Sequence, residues 1–191
     1  SWGACDMPEG WVFVHHDGRT SAGVAIGMRL FEGSDADATV SRTWPRTSPG
    51  GRVPDRHHCV SADFDQNGLT DFYVTAGRGG NNGTKVNGRG NELWLQVSEG
   101  VFENRAAAWG VEDVCGRSHY AATADFDGDG WADLYVGNAV PRAVTPDPCD
   151  AQPGSELSHL YLNAGGSGFV DATSDWGPAH NGGVRCAVAG Q

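Results

Sequence analysis

A stretch of twelve residues occurs twice in this chain, 62 positions apart. Asp63-Phe-Asp-Gln-Asn-Gly-Leu-Thr-Asp71-Phe-Tyr-Val74 aligns with Asp125-Phe-Asp-Gly-Asp-Gly-Trp-Ala-Asp133-Leu-Tyr-Val136. A second shared stretch follows each copy. Asn91-Glu-Leu93-Trp-Leu95, Gly100-Val-Phe102 and Trp109-Gly110 recur as Ser158-His-Leu160-Tyr-Leu162-Asn163, Gly168-Phe169 and Trp176-Gly177. Upstream, Met28-Arg-Leu30-Phe31 followed by Trp44 reads as a degraded third copy. The spacing from Leu30 to Leu93 is 63 and from Leu93 to Leu160 is 67. Such a period constrains the fold strongly, because repeating units bury their apolar faces against one another.

Within each unit, short stretches alternate apolar and polar residues at the two-residue period of a half-buried strand. The alternation predicts strands over 58–64, 71–76, 91–96 and about 101–104, with Ser98-Glu99-Gly100 as a turn. In the second copy the matching turn runs from Ala164 to Gly168. Composition agrees: 29 Gly, 17 Asp against 7 Glu, and a single Lys (Lys85) leave few strong helix formers. The fold class expected is all-β, with four-stranded antiparallel blades of the propeller type. The propeller is expected to be incomplete, with two clear blades plus degraded and partial ones. Its parts are an N-terminal β region with the degraded blade (1–55), one repeat at 56–117, a second at 118–182, and the start of a further repeat at 183–191. Cys186 to Gln191 looks like the strand before another acidic loop, so the chain is expected to belong to a larger propeller or to be completed by other copies of itself.

The two nonapeptides that open the repeats have the chemistry of calcium loops. Calcium takes about six to eight oxygens at roughly 2.3–2.6 Å. In the first loop Asp63, Asp65 and the amide oxygen of Asn67 stand at positions one, three and five, the carbonyl of Leu69 at seven and Asp71 at nine. In the second loop the same places hold Asp125, Asp127, Asp129, Trp131 (carbonyl) and Asp133. Gly68 and Gly130 at the sixth position permit the sharp turn. An EF-hand is excluded, because it requires a Glu at position twelve and flanking helices. Position twelve here is Val74 or Val136, inside a β-like run. Magnesium fits less well, since it demands tighter octahedral geometry. Two Ca²⁺ sites are therefore expected. The weaker acidic stretch Gly33-Ser-Asp35-Ala-Asp37-Ala lacks the glycine and the closing Asp, and reads as a turn.

A formal net charge of −11 with scattered Arg argues against a nucleic-acid partner. Two bound calcium ions would offset part of that charge. No apolar run reaches the 18 or so residues of a membrane span, so no membrane insertion is expected. Five cysteines without zinc spacing favour a secreted, oxidising setting with one or two disulfides. Cys115 with Cys149 is the preferred pair, since both lie in loops around the second acidic motif, and at least one cysteine is left over. Asn82-Gly83-Thr84 makes Asn82 a candidate glycan acceptor. His15-His16 and His57-His58 are adjacent pairs whose side chains point to opposite faces of a strand, and are read as packing or surface residues.

The motif Ala-Asp-Phe-Asp-x-Asn/Asp-Gly-x-x-Asp-x-Tyr-Val, with Leu-x-Leu-Asn, Gly-Phe-Val-Asp-Ala-Thr and Trp-Gly, resembles FG-GAP/VCBS repeats. It is closest in flavour to the secreted ASPIC/UnbV and cartilage-acidic-protein group. The resemblance covers about residues 56–191 and implies blades of a calcium-stabilised propeller related to the integrin α-subunit head. It implies the same ligand positions in both loops. The function expected is a secreted, non-enzymatic module serving structure, adhesion or assembly, as an oligomer or fibre subunit. The alternatives are the propeller portion of a secreted lyase, phospholipase or glycosidase, and an integrin-like ligand-binding ectodomain. No Gly-x-Ser-x-Gly or His-Glu-x-x-His motif supports an enzyme, and no catalytic residue is assigned.

Overall fold

The computed structural model describes residues 2–7, 10–15, 29–32, 39–43, 55–77, 90–139, 149 and 157–175. These form twelve strands in three four-stranded antiparallel sheets, each with its strands side by side in chain order. The first sheet holds β1 (Trp2–Met7), β2 (Gly10–His15), β3 (Arg29–Glu32) and β4 (Thr39–Thr43). The second holds β5 (Asp55–Ala62), β6 (Asp71–Gly77), β7 (Glu92–Ser98) and β8 (Val101–Asn104). The third holds β9 (Ser118–Ala124), β10 (Asp133–Asn138), β11 (His159–Asn163) and β12 (Phe169–Asp171). Leu30, Leu93 and Leu160 all fall on the third strand of their sheets. The first sheet differs at its first connection. Met7 pairs with Gly10, so β2 begins after two residues, where the other sheets carry a nine-residue acidic loop.

The first strands lie against each other, β1 by β5 and β5 by β9, so the sheets stack through their leading edges. Two apolar clusters fill the spaces between sheets. One joins Cys5, Val12 and Val14 of the first sheet to Cys59, Phe72, Val74 and Phe102 of the second. The other joins Phe64, Tyr73, Leu93 and Leu95 to Ala121, Leu134, Val136 and Tyr161 of the third. The second sheet is therefore covered on both faces. Strand β6 shows this directly: all seven of its residues are buried, with Phe72 and Val74 turned to one cluster and Tyr73 to the other. Burial of each such side chain is worth about 1.5–3 kcal/mol. Tyr73 can be buried because its hydroxyl donates to the Val111 carbonyl at 2.8 Å.

Two disulfides tie this frame. Cys115–Cys149 is the pair expected from their positions around the second loop, with Cα atoms 5.1 Å apart. Cys5–Cys59, which joins β1 to β5 at 5.4 Å, was not singled out by sequence reasoning, because 54 residues separate its halves and only sheet stacking brings them together. Cys186 lies outside the described residues, as do Asn82, His16, the acidic stretch from Gly33 to Ala38, and Trp176. Among the described residues no helix is long and apolar enough to cross a membrane.

His57 and His119, 62 positions apart, are equivalent: each is the extra residue of a β-bulge, between Arg56 and His58 in the second sheet and between Ser118 and Tyr120 in the third. The rings of His57 and His119 lie in contact, with centroids 4.1 Å apart.

Candidate metal centre

Each acidic loop leaves the end of the first strand of its sheet and enters the second strand at its closing Asp. Asp71 pairs with Ala62, and Asp133 with Ala124, so the two ends of each loop are clamped by the ladder. Between those ends the chain must turn back within nine residues. Gly68 and Gly130 adopt φ +86° and +90°, which an L side chain disfavours by about 1–2 kcal/mol. The turns are also held by the carboxylates. Asp63 accepts hydrogen bonds from Asn67 N at 3.1 Å and Gly68 N at 2.9 Å. Asp125 accepts from Gly128 N, Asp129 N and Gly130 N at 2.7, 3.0 and 2.9 Å. Such short local bonds are the reason Asp and Asn favour turns over regular structure.

This curling brings carboxylate oxygens together. One oxygen each from Asp63, Asp65 and Asp71 lie within 4.8 Å of one another, and the same holds for Asp125, Asp127 and Asp133. The separation suits a common cation. Without one, three carboxylates this close repel each other. The fifth-position residues stand beside these triads. Asn67 Oδ1 accepts from Leu69 N and Asp129 Oδ1 from Trp131 N, each at 2.8 Å. The group that comes together in the second loop is thus Asp125, Asp127 and Asp133, with Asp129 bonded within the loop. Leu69 and Trp131 occupy the seventh position in each turn, both half-buried.

The closing carboxylates are fully buried. Asp71 Oδ2 accepts from Phe64 N at 2.9 Å and Oδ1 from Gln96 N at 2.7 Å. Asp133 repeats this, with Oδ2 taking Phe126 N at 2.7 Å and Oδ1 taking Asn163 N at 2.8 Å. Each therefore pins the second residue of its loop to the third strand of its sheet. Loss of water pushes the Asp71 carboxyl up to about 7; the two N–H donors pull the other way, and Asp65 and Asp63 push further up. Asp133 is raised for the same reasons, with Asp127 and Asp129 as the repelling neighbours. A cation in either loop would oppose both the burial penalty and the repulsion.

Two residues that sequence reasoning passed over belong to this centre. The amide of Gln96 donates to Thr70 O at 3.2 Å and accepts from Gly100 N at 2.7 Å. Asn163 does the same in the third sheet, donating to Ala132 O at 3.1 Å and accepting from Gly166 N at 2.8 Å. Each ties the eighth residue of the loop to the following hairpin turn. The signal available was a side-chain amide one step beyond Leu95 and Leu162 in both copies. Comparison with curated proteins returns no match. The stretch from the first Asp of the first loop to the strand beyond the second, residues 63–136, matches the family model of the FG-GAP-like repeat.

Proposed function

We propose that the chain is a secreted β-repeat module whose two acidic loops bind Ca²⁺ as structural braces, serving a structural, adhesive or assembly role. The observation that carries the reading is the recurrence of one carboxylate triad at the same place in two sheets, each closed by a buried Asp that also holds the third strand. The protein has β-repeat sheets with an FG-GAP-like match over 63–136, and two disulfides that fit an oxidising compartment. Asp63, Asp65, Asn67, Leu69 and Asp71 would hold one ion, and Asp125, Asp127, Asp129, Trp131 and Asp133 the other.

An ion held by residues of a strand-to-strand turn stabilises the fold, because the unfolded chain offers no preformed site. At free calcium 100 times Kd each site adds about 2.7 kcal/mol. For a chain of this size, two sites correspond to a rise in Tm of roughly 10–20 °C. The test is thermal unfolding in calcium and in EDTA, and an unchanged Tm sinks the reading. Assembly is supported by the outer face of the third sheet. Leu134, Val136 and Tyr161 turn toward the second sheet, which leaves Tyr135, Leu160 and Leu162 on the opposite face, all half-buried. Such a face suits a further blade, from this protein or from a second copy. Sedimentation velocity or electron microscopy of the calcium-loaded protein would distinguish a monomer from a closed oligomer or a fibre.

A further inference from the structure

The two loops belong to different sheets, yet they touch. The amide of Gln66, at the tip of the first loop, donates to Gly130 O in the second at 2.8 Å. Gly166 fits between the loops: a Cβ built there would lie 2.5 Å from Trp131 Cζ3 and 3.3 Å from the Cα of Asp65. The central contact is Asn163. Its backbone N–H donates to Asp133 Oδ1 at 2.8 Å, and its side-chain Nδ2 donates to Ala132 O at 3.1 Å in the second loop and to Phe64 O at 2.9 Å in the first. The same Phe64 donates its own N–H to Asp71 Oδ2 at 2.9 Å. A line of hydrogen bonds joined by backbone thus runs from Asp133 through Asn163 to the Phe64 carbonyl, and through the Phe64 Cα to the N–H that Asp71 accepts. It is shielded from water, with Phe64 and both carboxylates fully buried and Asn163 only 5% exposed. Gln96, the counterpart of Asn163, makes the bonds within its own sheet, to Asp71 and Thr70.

We infer that Asn163 is a positioning residue that couples the two loops, so that a cation bound at one raises the affinity of the other. The inference rests on the calcium reading above and adds to it an interaction between sites. An ion in the second loop fixes Asp133, and with it the backbone of Asn163. The amide of Asn163 then holds the Phe64 carbonyl, and so fixes the backbone of the residue whose N–H aims Asp71 Oδ2 in the first loop. Ordering paid for by the first ion is not paid again by the second, which gives positive cooperativity without a change of fold. Linkage makes the effect equal in both directions.

The test is calorimetric titration of the whole chain with CaCl₂. Asp127 is exposed and, among the described residues, bonds within its own loop, so Asp127→Ala disables the second site with little cost to the fold. The first loop, unaltered in every atom, is expected to lose about tenfold in affinity, within the range typical of coupled sites. Asp65→Ala should weaken the second loop by the same factor. In an Asn163→Ala background, Asp127→Ala should leave the first loop's affinity unchanged. Hydrogen exchange supplies a measurement that needs no change at Asn163. In Asp65→Ala, where only the second loop fills, calcium should slow exchange of the Phe64 amide severalfold. If the first loop binds equally well with and without Asp127, or if Phe64 exchange ignores calcium in Asp65→Ala, the coupling is overturned while the calcium reading stands. If the wild-type chain takes up no calcium, both fall together.

Discussion

The protein joins neighbouring sheets in two different ways. Between the first and second sheets the junction is crossed covalently by Cys5–Cys59, with Ser61 Oγ donating to the Asp6 carbonyl at 2.6 Å beside it. Between the second and third sheets the described residues contain no such crosslink. That junction is tied by polar contacts at both ends. At the loop end are Gln66 with Gly130 and Asn163 with Phe64. At the far end Asn91 donates to Ser118 Oγ, which donates to Asn138 Oδ1, and Asn138 donates to Asp113. The difference follows the loops. The first sheet passes from β1 to β2 in two residues, so it has no acidic loop to lay against its neighbour. Each junction thus carries its own tie, and the chemistry of the tie changes from one junction to the next.

The two junctions are expected to fail under different treatments. The largest effect is expected from removing the disulfide with Cys5→Ala and Cys59→Ala together. The crosslink closes a segment of 54 residues, and its loss should cost about 4 kcal/mol by urea unfolding. The loss should be the same in calcium and in EDTA; a loss that depends on calcium would break the separation between junctions.

The second effect is a pH dependence in EDTA, where Asp71 dominates. The ordinary carboxyl value of 3.8 rises to about 7 at Asp71 in the fold, so the folded chain holds this proton more tightly than the unfolded one. That preference stabilises the fold fully below 3.8 and is lost as pH rises through 7. Stability in EDTA should therefore fall on the order of 3 kcal/mol across this window. Asp133 adds to the fall in the same direction. Unfolding curves at several pH values should show the slope in the wild type and a flatter one in Asp71→Asn. Calcium should stabilise more at high pH than at low pH; the opposite trend would remove Asp71 from the ligand set.

Smaller effects localise the second junction. Gly166→Ala forces a Cβ against the Trp131 ring at a backbone φ of +72°, and should cost about 2 kcal/mol. Gln66→Ala removes one exposed hydrogen bond and should cost about 0.5–1 kcal/mol. Both losses should persist in the disulfide-free protein. If either vanishes there, the two junctions are not independent.

Much of the fold was legible because it is local. Apolar alternation placed β6, β7 and β8 within a residue or two, and the turns at Glu99-Gly100 and at 164–168 fell where Gly and Ser cluster. The Asp at the first, third and ninth positions of each loop come together because nine residues clamped at both ends have few ways to turn. The second-loop disulfide was readable since both cysteines flank one hairpin. Two residues of the centre were not readable. Gln96 and Asn163 reach across the fold to residues 25 to 99 positions away, and an amide at the end of a strand carries no mark of that.

The sequence by itself determined that the chain repeats, that each repeat is a four-stranded sheet, and that two of them open with a clamped acidic turn. These depend on side-chain period and turn chemistry, which act over a few residues. Only the tertiary structure decided which loop faces which, that Cys5 meets Cys59, and that Asn163 spans both loops. Those contacts form because each sheet must cover the apolar face of the next. Burial drives that stacking without naming partners, so the pairs it brings within bonding distance emerge only when the sheets are packed.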